Sequence, residues 1–372
     1  MMLDQPSIPF IVIAFIAALG PLVFFHELGH YGVARLFGVK SDTFSIGFGR
    51  EITGWTDRRG TRWKVGWLPL GGYVRFAGDA DEASRPDFAD HDPDHFHNRP
   101  VWQRFLIVLA GPMANFLLAI LIFAAFFMIV GAPRTPTEVV SLQEDSAAVA
   151  IGIREGDRLV SIAGRPTDSF EDVRRTVSLR PDMVVDIELV RDGEPMTLSG
   201  RLGALEQEDE FGQPYRIGLL GVGSGPPRLT RLSPIAAVPA ATGYTWAMTR
   251  AILDGVWQIV TGKRSTKDLG GPMKMAQIAG QQASLGIFPF IQLLALFSIN
   301  LGFINLLPVP MLDGGHLLFY SVEAVRRRPL GERAQEWAFR GGLALLLALI
   351  LFTTINDLAS FGLVERLSRL IG

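Results

Sequence analysis

From Ile8 to Val39 the chain is apolar enough to cross a bilayer and carries no charged residue ahead of His26; it then places His26-Glu27-Leu28-Gly29-His30 inside that stretch. No other feature narrows the fold as far. A segment at membrane depth has no water to satisfy its backbone, so it must be a helix. On a helix the two histidines stand on one face, where both reach a single divalent ion. Glu27 then lies beside the metal, placed to act as general base toward a water there. In a soluble helix the same five residues form a common surface pattern. In an apolar span they are costly to bury and mark function. A water-activating site at that depth points to hydrolysis of something that is itself in the membrane.

The rest of the chain agrees with a membrane protein. Of 372 residues 48% are hydrophobic and only 19% charged, below the roughly 25% charged residues of soluble domains. A net charge of −2 gives no basic signature for nucleic acid. The absence of cysteine excludes disulfides, thiolate metal sites and thiol nucleophiles. The first apolar stretch lacks a basic leader and a small-residue cleavage site, so it does not read as a removed signal peptide. About twenty apolar residues span a bilayer, and four stretches qualify: Ile8–Leu36, Phe105–Ala132, Ile287–Leu307 and Gly342–Ile355 extended by its flanks. Lys and Arg are missing from residues 1–34 but follow at Arg35, Lys40, Arg50, Arg58, Arg59, Arg62, Lys64 and Arg75. Arg326, Arg327 and Arg328 lie between the third and fourth spans. The basic loops should be cytoplasmic, and the N-terminus, the 132–286 region and the C-terminus outside.

Two segments outside the spans have their own character. Lys64–Phe76 reads as a β-hairpin turning at Pro69, Gly71 and Gly72. Its Trp, Tyr and Phe suit a membrane interface, and an edge strand there could pair with an extended substrate. His91, His95 and His97 sit in an acidic loop where Pro93 breaks any helical ligand spacing. Thr137–Gly203 loses the long apolar runs. Strands are expected at Leu159–Ile162 and Met183–Val190, a hairpin turn at Arg191-Asp192-Gly193-Glu194, and an amphipathic helix at Asp168–Leu179. That is enough for one small α+β module. A β-rich piece at Glu210–Gly223 and an amphipathic helix at Pro234–Val260 follow.

Catalytic zinc keeps three protein ligands and an open position. The third is sought at the end of the third span, in Asn305-Leu306-Leu307-Pro308-Val309-Pro310-Met311-Leu312-Asp313-Gly314-Gly315-His316. Two prolines break the helix there, and both Asp313 and His316 are able to ligate. His₂Asp ligation would also accept divalent ions other than zinc.

These residues carry a resemblance. The HELGH segment, Gly71-Gly72-Tyr73-Val74 and Asn305–Gly314 resemble the site-2 protease family of intramembrane zinc metalloproteases. Val101–Phe105, Ala110-Gly111-Pro112-Met113-Ala114-Asn115-Phe116 and Gly271-Pro272-Met273 are similar to the bacterial regulator of sigma-E protease branch. Ser146-Ala147-Ala148, Gly152–Asp157 and Ile162-Ala163-Gly164 look like the PDZ domain that this branch inserts after its second span. Members of that branch carry two tandem copies, whereas residues 204–228 are too few for a second.

The resemblance implies a multi-pass α-helical membrane protein of four transmembrane helices, with an inserted α+β PDZ domain and a cytoplasmic β-hairpin. It implies Zn²⁺ held by His26, His30 and Asp313, water activation by Glu27, and substrate contacts from Asn305, Gly71, Gly72, Tyr73 and Val74. It leaves His316 to packing around the site. Its substrates would be transmembrane segments of the anti-sigma-factor or signal-peptide-remnant type, its surroundings the bacterial inner membrane, and the PDZ domain would take a peptide ligand. The expected division is 1–37, first span; 38–100, cytoplasmic loop and hairpin; 101–132, second span; 133–203, periplasmic PDZ domain; 204–286, β segment and amphipathic helices; 287–322, third span; and 323–372, loop and fourth span. The alternative from another class is an inactive membrane scaffold whose PDZ module binds partners.

Overall fold

A computed structural model describes residues 6–79, 92, 95–208, 214–263, 270–328 and 330–360. The chain opens with α1 (Ile8–Leu36), the strands β1 (Ser41–Thr56) and β2 (Arg62–Phe76), and α2 (Val101–Ile129). There follow β3 (Ala132–Arg134), β4 (Val139–Leu142), α3 (Ala147–Ile151), β5 (Arg158–Ile162), β6 (Arg165–Pro166) and α4 (Phe170–Ser178). Next come β7 (Val184–Arg191), β8 (Glu194–Arg201), β9 (Gly203–Glu208), β10 (Pro214–Leu219), β11 (Val222–Ser224) and β12 (Arg228–Thr230). Five helices close it: α5 (Pro234–Val260), α6 (Pro272–Ser284), α7 (Ile287–Leu306), α8 (Asp313–Arg326) and α9 (Glu332–Ser360).

The chain divides into two compact units, Phe126–Ile235 and the remainder. In the larger one, four helices among the described residues are long and apolar enough to cross a membrane: Ile8–Leu36, Val101–Ile129, Ile287–Leu306 and Arg333–Leu358. They carry exposed Ile13, Leu117, Leu121, Leu347 and Leu351 on their outer faces. The fourth helix is much longer than the Gly342–Ile355 core read from sequence, because polar flanks extend it and Arg340 pairs with Glu336 one turn away at 2.6 Å. Helix α6 packs on α1, with Gly280 against Ile11. Its own N-cap, Gly271, supplies no side-chain oxygen. Buried Asp357 of α9 caps it instead, accepting from the Gly271 N–H at 2.9 Å and the Lys274 N–H at 3.0 Å.

Strands β1 and β2 differ from the hairpin expected within Lys64–Phe76. The two halves of β2 do not pair with each other. Residues 62–65 pair with both 43–46 and 53–56 of β1, while 72–76 pair with 41–46 on the opposite side. The Pro/Gly segment between them carries β2 across rather than reversing it, and β1 bends to match at Gly47 and Gly49, with φ of +86° and +82°. The reversal proper is at 57–61, where Asp57 accepts from the backbone N–H groups of Arg59 and Thr61, from Trp63 Nε1 at 3.1 Å and from Tyr31 Oη at 3.3 Å. These bonds hold the Asp57 carboxyl below the ordinary carboxylate range, the Trp63 N–H foremost. A buried cluster of Ala34, Val39, Phe44, Val74, Phe76, Phe96, Ile107, Val108, Leu317 and Tyr320 roots the sheet on α1, α2 and α8. His91 lies outside the described residues; His95 and His97 pair with Asp92 and Asp79 at 3.5 and 2.8 Å.

The smaller unit is an α+β module around a four-stranded sheet ordered β6-β5-β7-β8. Helix α4 begins at a capping box between Ser169 and Asp172. Asp192 and Gly193, both at positive φ, turn β7 into β8. The sequence division closed this module at 203. The strands beyond it belong to the module, because β11 pairs with β4 and β12 with β3. Their bonds satisfy backbone groups that β4 and β3 would otherwise leave open. Asp157 is fully buried, and Arg191 clamps it through Nε and a terminal nitrogen at 2.7 Å each while the Arg154 N–H donates at 2.8 Å.

Candidate metal centre

Helix α1 turns His26 and His30 to one face, as their spacing requires, and both are buried, at 7% and 8% exposure. Their Nε2 atoms approach to 3.2 Å. The third component comes from far along the chain. After α7 ends, residues 307–312 form a break that returns the backbone over the start of α8, with Met311 at a φ of +84°. The break lies so close to α8 that a Cβ at Gly314 would meet the Leu307 carbonyl oxygen at 2.1 Å. This folded turn delivers Asp313, whose Oδ2 lies 3.1 Å from His26 Nε2 and Oδ1 3.5 Å from His30 Nε2.

The donor set suits a cation. His30 Nδ1 lies 2.9 Å from the Ile107 carbonyl oxygen, which can only accept, so Nδ1 carries the proton and a neutral His30 leaves Nε2 as a lone pair. Asp313 Oδ2 is buried and makes no hydrogen bond. One ligand atom from each of the three residues lies within 4.8 Å of the others. Lone pairs converging in a buried site demand positive charge between them, and two imidazoles with a carboxylate are a set that zinc accepts.

Around this cluster is a cavity of about 260 Å³. Glu27 lines it beside the two histidines, and Asn305 and His316 line it from α7 and α8. Gly71, Gly72, Tyr73 and Val74 form another wall. Residues 72–76 pair with β1 on one side only, and no other strand joins them among the described residues. Gly72 comes so close to α1 that a Cβ there would meet Val23 at 2.6 Å and the Glu27 Cγ at 3.2 Å. Every site residue read from the sequence therefore lines this one cavity. His316 does so among the rings of Phe319, Tyr320 and Phe339. Sequence reading gave no role to Asn115, which is fully buried 3.0 Å from His26 Nδ1. A polar amide inside an apolar helix was the available signal.

Comparison with known proteins decides the family. Residues 14–349 match the model of peptidase family M50.

The chain belongs to peptidase family M50.

Two curated relatives cover the M50 chain almost end to end. An Agrobacterium fabrum protein, provisionally named a zinc metalloprotease, is 44% identical over 94% of this chain and 96% of its own length. The metalloprotease MmpA of Caulobacter vibrioides is 39% identical over 93% of this chain and 95% of its own. Among solved structures, the PDZ domain of an SdrC-like protein from Listeria monocytogenes covers 26% of this chain and 90% of its own, at 19% identity and a TM-score of 0.19. This M50 member is a metalloprotease, its four apolar helices are consistent with an integral membrane protein, and His26, His30 and Asp313 are a group able to bind its metal.

Proposed function

We propose that this protein is an intramembrane zinc endopeptidase that hydrolyses peptide bonds within transmembrane segments of other membrane proteins, of the anti-sigma-factor or signal-peptide-remnant type. The observation that carries this reading is the placement of His26, Glu27 and His30 within an apolar helix, with Asp313 brought to them from α8, beside a strand edge. In this reading His26, His30 and Asp313 hold the ion. When bound, zinc supplies Lewis acidity, polarising a carbonyl and bringing the pKa of water to about 7.

The chain's own groups do the rest. A helical substrate hides its carbonyls in its own hydrogen bonds and must open before one can react. Residues 71–74, which line the cavity, would meet the opened strand by strand addition, and the Asn305 amide offers a donor and an acceptor to the same exposed backbone. Glu27 takes a proton from the attacking water at its carboxylate and returns it to the leaving nitrogen. Burial of the cavity among apolar helices favours a membrane substrate over a soluble one.

By the rule that basic loops stay inside, the strands and the site would face the cytoplasm of a bacterial inner membrane, and the PDZ-like module is a candidate for a peptide ligand. The decisive experiment is cleavage of a tagged single-span substrate by the purified wild type and by Glu27→Gln, with and without a zinc chelator. Cleavage within the span by the wild type alone, lost with chelator, supports the proposal. Cleavage by both proteins overturns the role of Glu27, and bound zinc without cleavage of any span overturns the substrate class. Absence of both zinc and cleavage would favour the inactive scaffold.

A further inference from the structure

We propose that Asn115 is a positioning residue for the metal centre: its side-chain amide selects the tautomer of His26 that leaves Nε2 bare for the ion. The inference rests on the reading of His26 as a metal ligand. Asn115 is fully buried in α2, and its side chain meets His26 Nδ1 at 3.0 Å.

A neutral imidazole carries one proton, and the partner of one nitrogen decides the state of the other. With the Asn115 Nδ2 facing it, His26 Nδ1 accepts, and the ring proton sits on Nε2. That proton points at His30 Nε2, 3.2 Å away, which is bare because His30 Nδ1–H donates to the Ile107 carbonyl. Without an ion, two buried oxygens of the arrangement are left over: Asp313 Oδ2 and one atom of the amide itself. Asn115 Oδ1 is buried and has no hydrogen-bond partner.

Turning the amide over exchanges its two ends with no change of shape. Oδ1 then accepts from His26 Nδ1–H, and His26 Nε2 becomes a lone pair. Both histidines now present bare Nε2 atoms toward Asp313, as a metal site requires. Metal-ligating histidines generally donate their other N–H to an acceptor that fixes ring and tautomer. For His30 that acceptor is the Ile107 carbonyl; for His26 Asn115 is the group in place. A carboxamide serves both states, as donor before the ion binds and as acceptor afterwards. Helix α2 is held in register for this by Ser298 of α7, whose Oγ donates to the Asn115 carbonyl at 2.8 Å. A purely structural account would make Asn115 a polar tether between apolar helices, which predicts no special dependence on an acceptor.

The test is the zinc affinity of the full-length protein in detergent, measured by chelator competition on wild type, Asn115→Leu and Asn115→Asp, alongside thermal unfolding of each after zinc is stripped. Leu keeps the shape and removes both polar atoms; Asp keeps only acceptors. We expect Leu to weaken zinc binding by about 10–100-fold while the stripped protein unfolds near the wild-type temperature, and Asp to bind within a few-fold of wild type. Wild-type affinity in Leu overturns the proposal, as does equal loss in Leu and Asp. If Leu does not fold, Asp alone decides, because retained zinc supports an acceptor role and lost zinc refutes it. Failure of the wild type itself to bind zinc would instead sink the proposed function.

Discussion

The His30 imidazole rests on the backbone of Gly111: a Cβ built at that glycine would lie 2.2 Å from Nε2. The ring cannot retreat without giving up its bond to the Ile107 carbonyl. Gly111→Ala should therefore push the imidazole out of its metal-binding position and weaken zinc binding by about tenfold or more. Zinc content after dialysis against a weak chelator reads this directly, and wild-type retention would show that the ring has room to move.

Glu27→Gln keeps the size of the side chain and removes the base. Zinc content and unfolding temperature should match wild type, while turnover falls by about 10²–10⁴-fold. Metal analysis and single-turnover cleavage on the same preparation separate the two effects.

Asn305→Ala should leave zinc in place and act on the opened substrate. A backbone group stranded without its partner costs about 1–3 kcal/mol, so cleavage of a transmembrane segment should drop roughly tenfold or more. A short unstructured peptide, which needs no opening, should lose less. Equal losses on both would move Asn305 from substrate handling to general packing.

The smaller unit has its own acid sensitivity. Arg191, by its hydrogen bonds, holds the Asp157 carboxyl below the ordinary carboxylate range. A carboxylate with a depressed folded-state pKa stabilises the fold above its unfolded value, about 3.9. That contribution disappears as pH falls through the lower folded value. Asp157→Asn should flatten the acid limb of the unfolding temperature below about pH 5. Arg191→Leu strands the buried carboxylate and should cost about 3 kcal/mol near neutral pH, measured by denaturant unfolding.

Much of this was legible in the sequence because the signals were local. Apolar runs of span length, the four-residue spacing of His26 and His30, and the Asp192-Gly193 turn each declare themselves within a few residues. The sequence also placed Glu27, Asn305, Asp313 and the Gly71–Val74 stretch as site candidates, and these line one cavity. Their chemical roles are the proposals argued above. What local patterns missed was long-range pairing. The β1–β2 arrangement depends on which strand lies on each side of residues 41–46, and Pro69 with its glycines looks the same in a turn as in a crossing. Residues 204–230 read as a separate piece because the partners of β11 and β12 lie before the module's central sheet. Asn115 gained its meaning only from a histidine on another helix.

The cap that Asp357 places on α6 bears on timing. Helix α1, with its two histidines and Glu27, is made before α6 and α9. Helix α6, which lies along it, is capped only once α9 has been made, because two of its leading amides donate to a carboxylate 86 and 83 residues further on. The face of α1 on which α6 packs is thus fastened only after α9 has been made.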